Sequence, residues 1–389
     1  MKKLLLSLAL IFTFFATKAN DGAFYSEGNH LIPIVETDIS VQKEILTVTR
    51  RHTKSYHFAK YYVTVYYEFF NPGEDKDLLV GFEALPPSEG FGSPDIFDFK
   101  VIMNGDSLDY QVSAVPKGDY YIDGQFQQCI TEVTLEEEYW DPCLYVYHFD
   151  AHFTKGVNII QHTYVFNGSD DNLCEFVFDY VLTAANRWAN NGIDDFTLIL
   201  DMGDRESFFI EPLFFNDAND FTCEGKGIIT TASRWKESYP IYHIQEGKIV
   251  FHKTNFHPDG ELWIIKHNYD LYNFKFNSSL KKYIREFLND DDMLETIKKQ
   301  YFNFEKLCSD LHINDNQDSN QLEGKSSLSD DTKRILRNLP FAYRGYVFKN
   351  KDLQNFFEST EWYIPNPDYK ENIDEMSPDE KNWIEFWKN

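Results

Sequence analysis

The stretch Tyr61-Tyr62-Val63-Thr64-Val65-Tyr66-Tyr67-Glu68-Phe69-Phe70-Asn71-Pro72-Gly73 decides the fold class. Tyr61, Val63, Val65, Tyr67 and Phe69 alternate with Tyr62, Thr64, Tyr66, Glu68 and Phe70. Successive side chains of a strand point to opposite faces, so period-two alternation marks a strand with one face in a core. β-branched and aromatic residues suit that pleated surface, and Asn71-Pro72-Gly73 supplies the stop.

Working outward, the same grammar recurs. Asp98 to Met103, Asn104-Gly105 and Leu108 to Val112 read as a hairpin, because Asn-Gly accepts positive φ at both central positions of a type I′ turn. Leu144 to Phe153, Asn158 to Phe166, Phe176 to Leu182 and Phe196 to Met202 continue the series. Further short strands are expected at Ile241 to Ile244, Lys248 to Phe251 and Glu261 to His267. Short strands separated by turn signals predict a mainly antiparallel, sandwich-like body over residues 20–275. Its length allows two sandwich halves joined near Pro116 to Gly124. The pattern then turns helical: Ser278 or Ser279 caps Leu280 to Leu288, and Asn289 to Asp292 opens a second helix carrying Leu294, Ile297, Tyr301, Phe304, Leu307 and Leu311. Residues 314–329, rich in Asn, Asp, Ser and Gln, read as a linker. Residues 330–389 form a small helical module, with one helix broken by Pro340. Its last helix opens on the capping box Ser377-Pro378-Asp379-Glu380. The fold class is therefore α+β.

The ends and totals bound the setting. Met1-Lys2-Lys3, an uncharged apolar run from Leu4 to Phe15, and Ala16-Thr17-Lys18-Ala19 read as a secretory signal over residues 1–19. The run is shorter than the roughly 20 apolar residues a bilayer-spanning helix needs, and no later stretch is long enough, so an exported chain with no transmembrane segment after cleavage is expected. The formal charge is −26, and loss of Lys2, Lys3 and Lys18 with the leader makes it more negative. Phosphate backbones are repelled at that charge, which excludes nucleic acid as a partner. An oxidising compartment permits disulfides. Cys129 with Cys143 and Cys174 with Cys223 are the pairings to test, leaving Cys308 as a thiol on the apolar face of a helix.

Chemistry-bearing groups are few. His148, Asp150 and His152 alternate on one strand and share a face, where two imidazoles and a carboxylate could hold zinc, with His162 on the next strand as a fourth ligand. If the face carrying Tyr145, Tyr147, Phe149 and Phe153 is the core, these histidines are solvent-side residues. No Gly-x-Ser-x-Gly elbow, phosphate loop or His-Glu-x-x-His pair occurs.

Two resemblances follow. Leu336-Arg337-Asn338, then Phe341-Ala342-Tyr343-Arg344-Gly345-Tyr346-Val347-Phe348, Leu353, Phe356-Phe357, Trp362-Tyr363 and Pro365 resemble the YARHG domain, a module of bacterial envelope and extracellular proteins, over Arg334 to Trp387. The signature Tyr-Ala-Arg-His-Gly stands here as Phe341-Ala342-Tyr343-Arg344-Gly345. Arginine at the histidine position rules out proton chemistry there, since guanidinium stays charged. The body is similar to exported bacterial proteins of the DUF4424 type through Val63 to Asn71 with Gly81-Phe82, Tyr180 to Thr183 with Trp188, and Asn255-Phe256 with Pro258. Neither resemblance implies an activity.

Aromatic rings beside an arginine are favoured in recognition sites, so Arg344, Tyr343 and Tyr363 are the candidate binding residues, with Arg344 expected to be exposed. The function expected is a non-enzymatic envelope protein, periplasmic or at the cell surface, that recognises a glycan or protein partner without a cofactor. The alternative is an exported hydrolase assisted by zinc at His148, Asp150 and His152.

Overall fold

The computed structural model of the protein describes residues 27–29, 32–34, 37–52, 59–84, 96–116, 120–129, 144–167, 174–234, 237–267, 290–299, 301–302, 304, 308 and 328–388. The leader, the helix from Ser278, Cys143 and most of the linker lie outside the described residues. The principal strands are β1 (Ser40–His52), β2 (Ala59–Asn71), β3 (Lys76–Ala84), β4 (Ile96–Met103), β5 (Gln111–Val115), β6 (Leu144–Phe153) and β7 (Gly156–Asn167). They continue with β8 (Cys174–Val181), β9 (Ile193–Asp201), β10 (Glu206–Ile210), β11 (Phe221–Arg234), β12 (Glu237–Phe256) and β13 (Leu262–His267).

The quoted stretch is β2. Tyr61, Val63, Val65, Tyr67 and Phe69 are all inside the core, none more than 1% exposed, as the alternation requires. One large sheet runs β8-β13-β10-β12-β9-β1-β2-β7-β4, with β11 added against β12. Pairing is antiparallel except between β9 and β1, and between Glu27–Asn29 and β8. The chain on both sides of Pro116 to Gly124 enters this sheet, so that stretch does not separate two sandwich halves. The Asn104-Gly105 turn forms as read, both residues at positive φ. Its return strand is only Asp106–Ser107, after which the chain crosses to a second sheet, where β5 and β3 flank β6.

The large sheet curls until its far strands lie over its near ones. Phe178 of β8 packs on Tyr61 of β2 and Phe166 of β7, with centroids 5.2 and 5.5 Å apart. The small sheet covers the same layer: Phe82 of β3 meets Phe99 and Tyr164, and Phe153 of β6 meets Phe69. One apolar cluster fills the space between.

Closure depends on β12, which serves both layers. Residues Ile241 to Ile244 pair with β10, whereas Ile249 to Phe256 pair with β9. The sequence pattern suggests two separate strands here; the chain instead makes one strand that turns a corner. Gly247 (φ +107°) stands opposite Gly225 (φ +138°) of β11. A Cβ on Gly247 would sit 2.2 Å from the Glu224 carbonyl oxygen, and one on Gly225 2.1 Å from that of Glu246. Only glycine tolerates both the dihedral and the approach.

Among the described residues four helices with described bounds follow: α1 (Asp290–Lys299), α2 (Asp330–Ala342), α3 (Lys351–Glu358) and α4 (Pro378–Phe386). The second helix read from the sequence does not run through Tyr301. Its ladder stops at Lys299, and the free amides find side chains instead: Tyr301 N–H donates to Ser207 Oγ (3.4 Å) and Phe302 N–H to Tyr343 Oη (2.7 Å). Pro340 does not break α2 either. Its missing N–H leaves the Leu336 carbonyl open, and the indole of Trp383 in α4 donates to it at 2.8 Å. Ile297, Tyr301, Phe304 and Cys308 share one core with Leu328, Leu339, Trp362 and Trp383, so the helical segment and the module pack as one unit.

The glycine corner generates a test. Gly247→Ala meets a backbone oxygen and a left-handed dihedral, whereas Gly105→Ala meets the dihedral with nothing within 4 Å. The first is expected to destabilise by more than about 2 kcal/mol and the second by about 1 kcal/mol. Urea unfolding of both variants checks this, and equal losses would contradict the corner.

Candidate functional site

The three residues expected to bind a ligand through the module are inside it. Tyr343 is 1% exposed and Tyr363 5%. Arg344, expected at the surface, is mostly covered, its side chain 10% exposed: Nη1 and Nη2 form a two-pronged bond to Glu380 Oε1 and Oε2 at 2.7 and 2.9 Å, and Nη1 also donates to the Pro340 carbonyl at 2.8 Å. Glu380 is the N3 member of the capping box, and its Oε2 also accepts Ser377 N–H at 2.8 Å. One carboxylate thus caps α4 and ties it to the end of α2. Burial raises its pKa, but the Arg344 and Ser377 hydrogen bonds outweigh this and hold it below the ordinary value. Gly345 (φ +76°) lets the chain leave α2 under Ile364, whose carbonyl oxygen lies 2.4 Å from where a Cβ would be. Tyr363 Oη donates to the Tyr346 carbonyl at 2.8 Å. The signature is therefore spent on architecture. A sixty-residue unit needs every ring it can bury, and the arginine finds its partner thirty-six residues away in the carboxylate of the capping box.

The His148 strand does not gather a metal site. Tyr147, Phe149, Ala151 and Phe153 face the main core, so the histidines lie on the opposite side of β6. There His148 is covered: its ring stacks on Phe126 at 4.1 Å and Nε2 is 3.0 Å from Ser113 Oγ. Burial lowers its pKa, against a smaller upward pull from Asp150. His152 is exposed and its Nδ1 lies 2.8 Å from Asp77 Oδ1. His162 is wholly buried in the sandwich interior among Tyr67, Phe82 and Tyr164. Among the described residues, no three His, Cys, Asp or Glu side chains converge as metal ligands. Of the cysteines, Cys129 is disulfide-bonded, with Cys143 outside the described residues. Cys223 is a free thiol on β11, which overturns its pairing with Cys174. Cys308 is a buried thiol whose Sγ contacts the Asp379 carbonyl at 3.3 Å.

A polar constellation that the sequence did not announce sits where the module meets the body. Ser207 of β10 and His243 of β12 are cross-strand partners on the outer side of their layer. Ser207 Oγ lies 2.8 Å from His243 Nδ1, and His243 Nε2 lies 2.9 Å from Thr230 Oγ1. Tyr301 N–H also donates to Ser207 Oγ, so the hydroxyl is held between that amide and the imidazole. Two residues on, Gln245 Nε2 donates to the Ile364 carbonyl at 3.1 Å and the Tyr343 carbonyl at 3.4 Å. A serine on a histidine has the form of an activated nucleophile. Here, though, the third member is a neutral hydroxyl, and Tyr301 seals the serine at 4% exposure. The arrangement seats the module. Behind it Glu206 holds a buried ion cluster, accepting from Arg50 Nη1 at 3.0 Å and from Lys266 Nζ, while the Arg50 guanidinium lies 3.9 Å from the Phe176 ring.

The open surface lies on the other layer. Residues of β7, β2, β1, β9 and β12 that alternate with the core point outward and line up in rows. Ladder register places Thr163, Thr64, Thr47, Ile199 and Val250 in one row, and Gln161, Tyr66, Ile45, Thr197 and His252 in the next. Val165, Tyr62, Thr49 and Asp201 form a third, toward the other end of the strands from the Tyr66 row. Tyr62 is 44% exposed, and Ile102 and Ile159 are exposed at the β4 and β7 margin. Ion pairs flank the rows: Lys43 with Asp195 (3.5 Å), Arg51 with Asp201 (2.6 Å) and Lys248 with Glu224 (3.1 Å). Tyr66 Oη donates to Glu68 Oε1 at 3.0 Å. The outward set was legible in the β2 alternation; its alignment across strands was not, because register is a tertiary fact.

Fold and surfaces together define a class: a β-sandwich body carrying a docked helical module. The family model of the YARHG domain matches residues 309–389, which locates that module in a known family. No curated protein matches the chain. Among solved structures, a Legionella pneumophila protein described as a candidate nutrient-binding protein is similar at TM-score 0.47 and 16% identity, over 93% of this chain and 97% of that one. Native leukotriene A4 hydrolase of Saccharomyces cerevisiae is similar at TM-score 0.26 and 10% identity, over 60% of this chain and 30% of that one. No described helix is long and apolar enough to cross a membrane.

Two tests follow. Arg344→Ala leaves Glu380 buried and unpaired, and should cost about 3–5 kcal/mol in chemical unfolding. A loss under 1 kcal/mol would place the pair at the surface. For His243, burial lowers the imidazole from 6.5 to about 4. Between those values the unfolded chain binds more protons than the folded one, so stability falls as pH drops from about 6.5 to about 4. At about 1.4 kcal/mol per pH unit the loss is on the order of 3 kcal/mol. His243→Gln should flatten that stretch of the stability profile; an unchanged slope assigns the titration elsewhere.

Proposed function

We propose that the protein is an exported, non-enzymatic recognition protein of the bacterial periplasm or cell surface, and that its working surface is the open face of the body formed by β7, β2, β1 and β9. The observation that carries this reading is that face itself: rows of threonine, tyrosine and aliphatic side chains across four strands, bordered on β4 by the exposed Lys100 opposite Thr163. The module braces the opposite layer through Ser207 and Gln245, and its signature residues serve that brace. Export rests on the leader and on the YARHG match, a domain typical of exported proteins. The partner is a cell-envelope component, glycan or protein, and the protein works without zinc: His148 and His152 already have separate partners in Ser113 and Asp77.

Thr64→Lys places a cation in the middle of the face while leaving the core side of β2 untouched. Val347→Lys alters an exposed position on the module. Binding of the mature protein to purified cell-envelope material should fall at least tenfold for Thr64→Lys and stay unchanged for Val347→Lys. The reverse pattern would move recognition to the module, and one zinc per chain by elemental analysis would reinstate the hydrolase alternative.

A further inference from the structure

Independently of what the open face binds, we infer that the joint between module and body is operated by acid: protonation of His243 lifts the module off its seat while both units stay folded. The imidazole lies inside that joint, 0% exposed. Its two ring nitrogens face hydroxyls, Ser207 Oγ at 2.8 Å from Nδ1 and Thr230 Oγ1 at 2.9 Å from Nε2. A neutral ring satisfies both contacts, since it carries one donor and one acceptor. An imidazolium there is a buried charge with a hydroxyl rather than a carboxylate on each nitrogen, which costs far more than the same ion in water.

The charged groups around the ring are engaged elsewhere. On β10, Glu206 neighbours Ser207 but turns into the core, where Arg50 and Lys266 hold it. On β11 and β12, Lys226 pairs with Glu246 at 3.7 Å and Lys248 with Glu224 at 3.1 Å. From the module, Tyr301 and Tyr343 approach as neutral phenols whose ionisation burial pushes further up. Lys298 and Lys299 at the end of α1 are both on Glu295, and Glu380 is held by Arg344. Arg205, at the turn into β10, brings a cation whose field reaches Tyr301 and Glu380, not a counter-charge. Among the described residues no carboxylate is placed to compensate a proton on His243, and burial alone lowers its pKa to about 4.

The module is the part that yields, because neither core has to open. The apolar cluster of the body and that of the module are separate. The hydrogen bonds described across the joint are few: Tyr301 N–H to Ser207 Oγ at 3.4 Å, and Gln245 Nε2 to the Tyr343 and Ile364 carbonyls at 3.4 and 3.1 Å. Docking also leaves Gln245 Oε1 buried without a partner, a group that water satisfies once the module leaves. His243 itself is fixed between β10 and β11, with its neighbour Tyr242 in the body's core. Released, the ring returns to its ordinary value of 6.5, so the released state takes up the proton that the seated state refuses. Seating is therefore full above about pH 6.5 and weakens as pH falls toward 4. Between pH 7.5 and 5.0 the ratio of released to seated molecules grows roughly thirtyfold.

Amide hydrogen exchange of the full mature protein, corrected for the pH dependence of intrinsic exchange, reads the opening equilibrium even where release is rare. The Tyr301 amide, which parts from Ser207 on release, should lose protection roughly thirtyfold between pH 7.5 and 5.0. Amides of β2 and β7 in the body and of α4 in the module should change less than about threefold. His243→Gln keeps a donor and an acceptor but cannot take up a proton, so its Tyr301 protection should stay flat across the range. Thr230→Asp sets a carboxylate beside Nε2 and should hold the module seated down to pH 5.0; it keeps the test decisive if His243→Gln does not fold. Constant Tyr301 protection in the parent overturns the proposal, as does a loss equally steep in either variant. A loss in step with β2 and β7 overturns it too, because the whole chain is then unfolding. None of these readouts involves the open face, so their failure leaves the recognition reading intact.

Discussion

The structure turns on two glycines. Gly225 and Gly247 face each other across the β11–β12 ladder, each where a Cβ would strike the other strand's backbone. The close approach lets β12 bend sharply enough to pair with β10 on one side of the corner and β9 on the other. Without the bend, the far strands could not return over β2 and β7, and Phe178 would not reach the stacked pair Tyr61 and Phe166. Closure also sets the sidedness of the protein. On one layer it turns Ser207, His243 and Gln245 outward as a seat; on the other it leaves the threonine and tyrosine rows open.

The module answers the seat with equal economy. A compact helical unit has few apolar atoms to spare, so its polar groups are used for geometry. Glu380 caps α4 and grips Arg344; Trp383 supplies the hydrogen bond that Pro340 cannot; Trp362 donates to the Ile297 carbonyl at 2.6 Å and so joins α1 to the rest. Each link replaces a backbone bond that the local sequence forgoes. A signature motif in such a unit is therefore better explained as a folding requirement than as a ligand site.

Much of the body was legible before any coordinates. The alternation in Tyr61 to Phe70 named the buried and open faces of β2 correctly, and Asn104-Gly105 and Ser377 to Glu380 formed the turn and the capping box that their chemistry demands. What failed was what depends on contacts distant in sequence. Pro340 reads as a helix end because its replacement donor lies forty-three residues away. Tyr301 reads as helical because the hydroxyl that captures its amide belongs to β10. Arg344 reads as exposed because arginines usually are, and nothing local shows that Glu380 comes to meet it. The Ser207, His243 and Thr230 grouping has no motif, since three strands must reach register before it exists.

Function thus divides between a face that is open and a signature that is closed, and side-chain accessibility separates the two most directly. Hydroxyl-radical footprinting of the native protein should modify Tyr62 rapidly and leave Tyr343 and Tyr363 protected until the protein unfolds. Modification of Tyr343 and Tyr363 in the native state at rates comparable to Tyr62 would show that the module's rings face solvent, and would return recognition to the YARHG signature.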